Sequence, residues 1–344
     1  VKVGILTGGG DCPGLNPAIR GVVYRGMDFG FEFVGIEEGW RGLVKGMYRP
    51  LGLNDVEEII YQGGTMLGSS RTNPFKKGGE KDLEAVLANI KSAGFDAIVA
   101  CGGEDTLGVA AKLFRDHGVP TVGVPKTMDN DLSGTDFTFG FDTAAAVGLD
   151  AIDRLRDTAR SHRRVMVLEV MGRHAGWVAW YVGVAGGADW VTLPEEPLDV
   201  DAMIAHLNAI KARGKKYGLV VCSEGTELPA VIGDEKAVDD FGHVKLSDRS
   251  VGEYVASVIS EKTGWESRHA VVGHVHRGGA PTLFDRVLGM RVGMKAAELV
   301  NEKQFGQMAA LVGTEVKGVD IVAATSVLKV VPPQLIELMK TTFK

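Results

Sequence analysis

One unit recurs along this chain: a short apolar strand-like run, a turn rich in glycine or polar residues, then a helical pattern. That alternation restricts the fold more than any other feature. Successive strand–helix–strand units build parallel sheets and bring their turns to one sheet edge, where ligands bind in doubly wound folds. Residues 3–6 form the first such strand, followed by a glycine turn. Asn16 then offers an N-cap, Pro17 suits the first helical position, and Ile19, Val22 and Val23 give that helix an apolar side that Gly30 can close. Leu83, Val86, Leu87 and Ile90 recur at helical spacing before Gly94 and lead into a strand at 97–100. Further strands are expected at 121–124, 165–170, 219–222 and 270–273, with a helix near 200–212. Another helix follows Ser250, where Glu253 completes a capping-box pattern.

At 344 residues the chain exceeds the usual single core, so one large domain or two lobes around a cleft is expected. No Pro/Ser-rich linker or short tandem repeat separates independent domains. Glycine is nearly twice its usual share of about 7%, with 47 residues clustered as Gly8-Gly9-Gly10, Gly63-Gly64, Gly102-Gly103 and Gly278-Gly279. Clustering of this kind marks special backbone sites rather than low complexity. A net charge of −6 argues against broad nucleic-acid binding. No apolar stretch is long enough to span a membrane, and the chain opens in a strand-like run rather than a secretory signal. Cys12, Cys101 and Cys222 are scattered and odd in number, so neither a disulfide framework nor a zinc site is implied and a cytoplasmic location is expected.

The turns carry the chemistry. Thr7-Gly8-Gly9-Gly10-Asp11-Cys12-Pro13-Gly14 lets backbone N–H groups approach an anion, or is simply a tight strand-to-helix turn. It is not a P-loop, because no Gly-Lys-Ser/Thr follows, and Pro13 and Gly14 break the dinucleotide spacing. In Gly102-Gly103-Glu104-Asp105-Thr106, two adjacent carboxylates repel unless a cation sits nearby. Magnesium bridging phosphate oxygens is one answer, and an acidic helix N-terminus is the other. Lys126-Thr127-Met128-Asp129-Asn130-Asp131 places two carboxylates around an amide. One of them can accept a hydroxyl proton, and Lys126 can neutralise a transferring group. Later turns add Arg164, Arg173, Glu224, Arg268, His274 and Arg277, in which the arginines suit phosphate and Glu224 suits sugar hydroxyls. His276 faces away from His274 if that segment is extended.

The motifs GGGDCPGLN, GGTMLGSSR, GGEDT, PKTMDND, EVMGR, SEG and GHVHRGG resemble, in that order and over nearly the whole chain, the phosphofructokinase family. The resemblance implies phosphoryl transfer to the 1-hydroxyl of fructose 6-phosphate with Mg2+. It also implies an α/β fold of two similar Rossmann-like lobes with the active site in the cleft between them. A donor lobe would comprise 1–140 plus 277–326, and a fructose 6-phosphate lobe 141–276 plus 327–344. By position, Asp129 resembles the base, Asp131 supports the same turn, Gly10 and Arg71 resemble donor contacts, and Glu104 the metal-associated acid. Thr127, Met171, Gly172 and Arg173 match residues that hold the sugar or the transferring group. Glu224, Arg268, His274 and Arg277 match the rest of the sugar phosphate site. In this family Arg164 and Arg268 reach the neighbouring subunit's site, so a homodimer or homotetramer is implied.

Two departures concern the donor. The ATP-using pattern has glycine where this chain has Asp105 and Lys126, the pair characteristic of the pyrophosphate-dependent members. Asp105 would set a carboxylate where the α-phosphate of ATP needs room. Like charges about 4 Å apart at an effective dielectric near 20 repel by roughly 4 kcal/mol, about a thousandfold discrimination. Lys126 can pair with Asp105 and face the two phosphates of pyrophosphate. A third departure concerns regulation: Arg20 and Lys215 remain from the family's effector pocket, but Tyr24 and Leu53 replace two other arginines. Little activation by ADP or inhibition by phosphoenolpyruvate is expected. The competing readings are an ATP-dependent family member, a non-catalytic sugar-phosphate-binding subunit, and a nicotinamide oxidoreductase using Glu37 or Glu38. Retention of Glu104, Asp129 and Asp131 weighs against the second, and the later motifs weigh against the third.

Overall fold

A computed structural model describes residues 1–229 and 250–344. In chain order the described strands are β1 (Lys2–Thr7), β2 (Glu32–Ile36), β3 (Tyr48–Leu51), β4 (Ala97–Gly102), β5 (Thr121–Pro125), β6 (Val165–Val170), β7 (Trp190–Thr192), β8 (Gly218–Ser223), β9 (Ser267–Val271), β10 (Gln307–Val312) and β11 (Glu315–Asp320). They form a seven-stranded sheet, β11-β10-β5-β4-β1-β2-β3, and a four-stranded sheet, β7-β8-β6-β9. Among the described strands, only the β2–β3 and β10–β11 pairs are antiparallel. The expected α/β class with parallel sheets is therefore what forms, with sheets of unequal size.

Alternation along each strand explains why both faces of both sheets are covered. Val3 and Ile5 of β1 join one core cluster with Val99 and Cys101 of β4, while Leu6, Ile98 and Ala100 join the cluster on the other face. Val165 and Val167 of β6 likewise face one cluster and Met166, Leu168 and Val170 the other. Strands apolar on both faces are the signature of helix-covered parallel sheets. Helix Leu283–Asn301 packs closely on helix Leu15–Asp28, because a Cβ on Gly293 would lie 2.2 Å from the Ala18 carbonyl oxygen.

The chain crosses between the sheets before helix Phe141–His162, before helix Leu283–Asn301, and again before helix Pro333–Lys340. The first two crossings meet at Asp285, which is fully buried. Its Oδ2 accepts from the Thr143 amide (2.8 Å) and hydroxyl (2.6 Å), and the Thr143 hydroxyl in turn accepts from the Thr282 amide.

Three local expectations need correction. The first helix begins at Leu15, after Gly14 at φ 114°, so Asn16 is not its N-cap. The Asn16 side chain instead accepts from the Met66 amide and donates to the Gln62 and Gly63 carbonyls, a tertiary use that outweighs local capping. Ser250 sits at the N-cap of helix Val251–Thr263 without a side-chain cap bond. The Gly252 amide there donates to the buried Glu169 at 2.7 Å instead. The strand expected at 270–273 ends at Val271, and Gly273–Arg277 forms a 3₁₀ turn. His276 is therefore buried rather than opposite His274, with Nδ1 2.9 Å from the Ala144 carbonyl oxygen and its pKa pushed down to about 4 by burial.

Candidate active site

β1, β4 and β5 are neighbours, and the register pairs Thr7 with Cys101 and Gly102 with Pro125. Their three following turns thus start at the same height on one sheet edge. Chain order reverses between β1 and β4, so these turns lie at the sheet's topological switch point. Glycine is required there for contact reasons. A Cβ on Gly8 would sit 2.6 Å from Thr106 Oγ1, and one on Gly102 would sit 2.3 Å from Thr106 Cβ. Gly9 adopts φ 78° and donates its N–H to the Ser70 carbonyl at 3.0 Å. Gly103 is the N-cap of helix Glu104–His117, so both carboxylates of the Glu104-Asp105 pair occupy its first turn.

A single pocket gathers most of the residues singled out from sequence. Gly10, Arg71, Glu104, Asp105, Lys126, Thr127, Asp129, Asp131, Arg173 and Arg277 all line it. Lys126 is only 4% exposed and extends from the end of β5 to the Gly10 carbonyl, to which its ammonium donates. Asp105, the partner expected from sequence, lines the same pocket. Burial pushes the Lys126 pKa down, as does the neighbouring Arg277, while Cys12, Asp129 and Asp131 pull the other way.

Asp129 is buried beside a second carboxylate. Its pKa rises from 3.8 to about 7, first through burial and then through Asp131, with Arg277 and Arg173 opposing. The turn that carries it is tightly tied. The Asp129 amide donates to Thr127 Oγ1 (3.1 Å), and Thr138 Oγ1 donates to the Thr127 carbonyl (2.6 Å). Between the two carboxylates Asn130 adopts φ 52°, a region in which Asn is enriched. Its side-chain oxygen accepts from the Thr138 amide and from Lys329 Nζ.

The second sheet supplies Arg173 and, through the 3₁₀ turn, Arg277. Arg173 follows β6 at φ 45°, an uncommon backbone for a long side chain and the kind of strain that gathers at functional sites. Its carbonyl is pressed against Gly225, where a Cβ would lie 1.5 Å from that oxygen. Glu224 Oε1 accepts from the Gly172 and Arg173 amides, both at 3.3 Å, so it holds this turn from beneath. Arg277 Nη1 donates to the Asp11 carbonyl at 3.0 Å, and a Cβ on Gly10 would meet it at 2.6 Å.

The remaining expected residues do not line the pocket. Met171 packs on the core of the larger sheet, and Gly172 is buried in the turn. His274 is exposed. Arg164 and Arg268 stand at the opposite end of β6 and β9, where both pair with Glu266, at 3.4 and 3.0 Å. Of the two effector-pocket cations, Arg20 stacks on Tyr24 (4.1 Å to the ring) and donates to its hydroxyl, and Lys215 is paired with Asp189.

Sequence reasoning missed His174 and Leu328, which also line the pocket, and Lys329 behind it. His174 adjoins a recognised arginine and was open to suspicion. Leu328 and Lys329 lie in a stretch with no turn chemistry or motif to mark it.

A family model described as Phosphofructokinase matches residues 2–300. The chain is 51% identical over 348 residues to a pyrophosphate–fructose 6-phosphate 1-phosphotransferase of Amycolatopsis methanolica, covering 100% of both chains. It is 44% identical over 335 residues to ATP-dependent 6-phosphofructokinase 3 of Streptomyces coelicolor, covering 96% of this chain and 97% of that relative. Among solved structures, the phosphofructokinase of Pichia pastoris in the T-state matches with a TM-score of 0.81 at 30% identity. That match spans 99% of this chain and 36% of the yeast one.

Proposed function

This chain belongs to the phosphofructokinase family, and from that premise we propose that it transfers a phosphoryl group from pyrophosphate to the 1-hydroxyl of fructose 6-phosphate. The products are fructose 1,6-bisphosphate and phosphate, and the reaction runs usefully both ways. The observation that carries the choice of donor is the path of Lys126. Its side chain crosses the pocket beside Gly9 and Gly10, with Nζ 3.5 Å from where a Cβ on Gly9 would stand. A glycine at 126 would leave that space open to a nucleotide. Lysine fills it and presents a positive charge to a short diphosphate.

In this reading the ionised Asp129 takes the proton of the 1-hydroxyl as that oxygen attacks phosphorus. Lys126, Arg173 and Arg277 offset the charge that develops on the transferring group. Glu224 keeps Arg173 aimed by holding its backbone. Mg2+ is the metal we assign. The donor set fits it: Glu104 offers hard carboxylate oxygens at the pocket, and Mg2+ is commonly held by one or two carboxylates with phosphate oxygens and water. When bound, it neutralises phosphate charge.

The donor site belongs, in this assignment, to 1–140 plus 277–326, and the sugar phosphate site to 141–276 plus 327–344. Arg268, exposed with Glu266 at the edge strand β9, and Arg164, half-buried against the same carboxylate, support a homo-oligomer in which they serve a neighbouring site. Buried, unpaired thiols at Cys12, Cys101 and Cys222 are compatible with a reducing cytoplasm. ATP is the second reading for the donor, favoured by the 44% identity to a relative named ATP-dependent.

The test is turnover with fructose 6-phosphate and Mg2+, comparing the two donors. Activity with pyrophosphate alone is expected. Activity with ATP alone would keep the family and overturn the role given to Lys126 and Asp105.

A further inference from the structure

The segment between residues 327 and 332 lies beyond the span matched by the family model, yet it touches both halves of the pocket. Leu328 bridges Leu132 and lines the pocket wall. The Lys329 amide donates to the Asp131 carbonyl at 2.8 Å. Its ammonium is shared among three acceptors: Asn130 Oδ1 (3.0 Å), the Thr135 carbonyl (3.0 Å) and the Asp136 carbonyl (2.9 Å). On the other side, Trp177 Nε1 donates to the Lys329 carbonyl at 2.9 Å, and the ammonium lies 5.5 Å from the Trp177 ring. Glu195 Oε1 then accepts from both Val331 and Gly176, at 2.9 and 2.8 Å. One residue therefore grips the turn that carries Asp129 with its amide and side chain, and the helix that follows the Arg173 turn with its carbonyl.

We propose that Lys329 is a positioning residue for phosphoryl transfer, fixing the Asp129 turn through Asn130 and Asp131 and setting it against Arg173. Three acceptors around one ammonium satisfy its three donors, so the head has a defined place rather than a mobile one. Asn130 in turn needs a partner to stay at positive φ between two carboxylates. Removal of the ammonium leaves Asn130 Oδ1 held by Thr138 alone and strips the carbonyls of 135 and 136 of the same donor. The base then loses its alignment while Lys126, Arg277 and Arg71, which face the substrates, keep theirs. This inference rests on Asp129 being the base.

The experiment is a double-mutant cycle in the full-length enzyme, with fructose 6-phosphate, Mg2+ and whichever donor supports turnover. Lys329→Met is expected to lower kcat at least thirtyfold, with each KM moving less than threefold. In an Asp129→Asn background the same change is expected to cost less than threefold, because the group it positions has gone. Equal losses in both backgrounds, or a raised KM with kcat intact, would overturn the positioning role while leaving Asp129 as the base. Full activity in Asp129→Asn alone would overturn both. Should Lys329→Met not fold, Lys329→Arg takes its place in the cycle. Its larger head displaces the turn, so a kcat loss confined to the Asp129 background is again expected, and parent-like kcat would refute the idea.

Discussion

Asp129→Asn removes a carboxylate that the fold holds at an energetic cost, and the cost depends on pH in a definite direction. The folded-state pKa is about 7 against 3.8 for the free side chain, raised by burial and by Asp131. Between these values the native protein binds more protons than the unfolded chain, so stability falls as pH rises through that window. The penalty is absent below about pH 4 and fully present above about pH 7. A shift of roughly three units at 1.36 kcal/mol each amounts to about 4 kcal/mol at pH 8 and about 2 kcal/mol at pH 5. Asparagine keeps the shape without the charge. It should therefore stabilise the ligand-free protein by about 2 kcal/mol more at pH 8 than at pH 5. With an unfolding entropy near 2.1 cal/mol/K per residue, that difference is about 3 °C in Tm. Differential scanning calorimetry of parent and variant at the two pH values measures it. Asp285, pushed up to about 6 by burial, weakens both proteins alike as pH rises, so it cancels in the comparison. The same shift sets the parent's kinetics, with kcat/KM for fructose 6-phosphate falling about tenfold per unit below about pH 7. An equal Tm gain at both pH values would refute the reasoning, because the carboxylate would then be no harder to ionise in the fold than out of it.

The double change Asp105→Gly with Lys126→Gly should raise kcat/KM for ATP by up to about a thousandfold, the factor set by roughly 4 kcal/mol of removed repulsion. Pyrophosphate use should fall in parallel, and unchanged ATP turnover with surviving pyrophosphate turnover would sink the donor assignment. Gly225→Ala forces a Cβ into the Arg173 carbonyl, a backbone atom that cannot swing aside. A loss of at least a hundredfold in kcat/KM is expected from steady-state kinetics. Arg268→Ala should raise KM for fructose 6-phosphate at least tenfold with little change in Tm. Refolding it as a mixture with Asp129→Asn should restore activity if each arginine serves a neighbour's site, and a mixture no better than its parts would argue against that. Substrate curves should stay hyperbolic with or without ADP, since Arg20 is already engaged by Tyr24 and Lys215 by Asp189. A sigmoidal curve made hyperbolic by ADP would contradict this.

Strand ends were the most legible part of this molecule. The turns after β1, β4 and β5 could be joined into one site because parallel strands in register place their ends together. Helix ends were less so: Asn16 and Ser250 carry cap chemistry, but Asn16 is used in a loop contact and Glu169 takes the amide near Ser250. The segment around His276 misled for a different reason. Its apolar alternation suits a strand, yet burying one histidine against Ala144 curls it into a 3₁₀ turn that delivers Arg277. Lys329 was invisible, because a lone lysine in an unremarkable stretch acquires meaning only from the carbonyls that the fold collects around it.

The three chain crossings reduce to two places: the Asp285 cluster, where the first two meet, and the Lys329 segment beside the pocket. A body held at two places keeps a single freedom, rotation about the line that joins them. An opening of one sheet against the other that keeps both ties turns on that line, and Leu328 of the Lys329 segment lines the pocket. Asp129 and Arg173 lie close to the Lys329 end of the axis and so travel least, while the far rims of the sheets travel most. The mouth of the site is thus free to widen for substrate without much change in the distance across its floor.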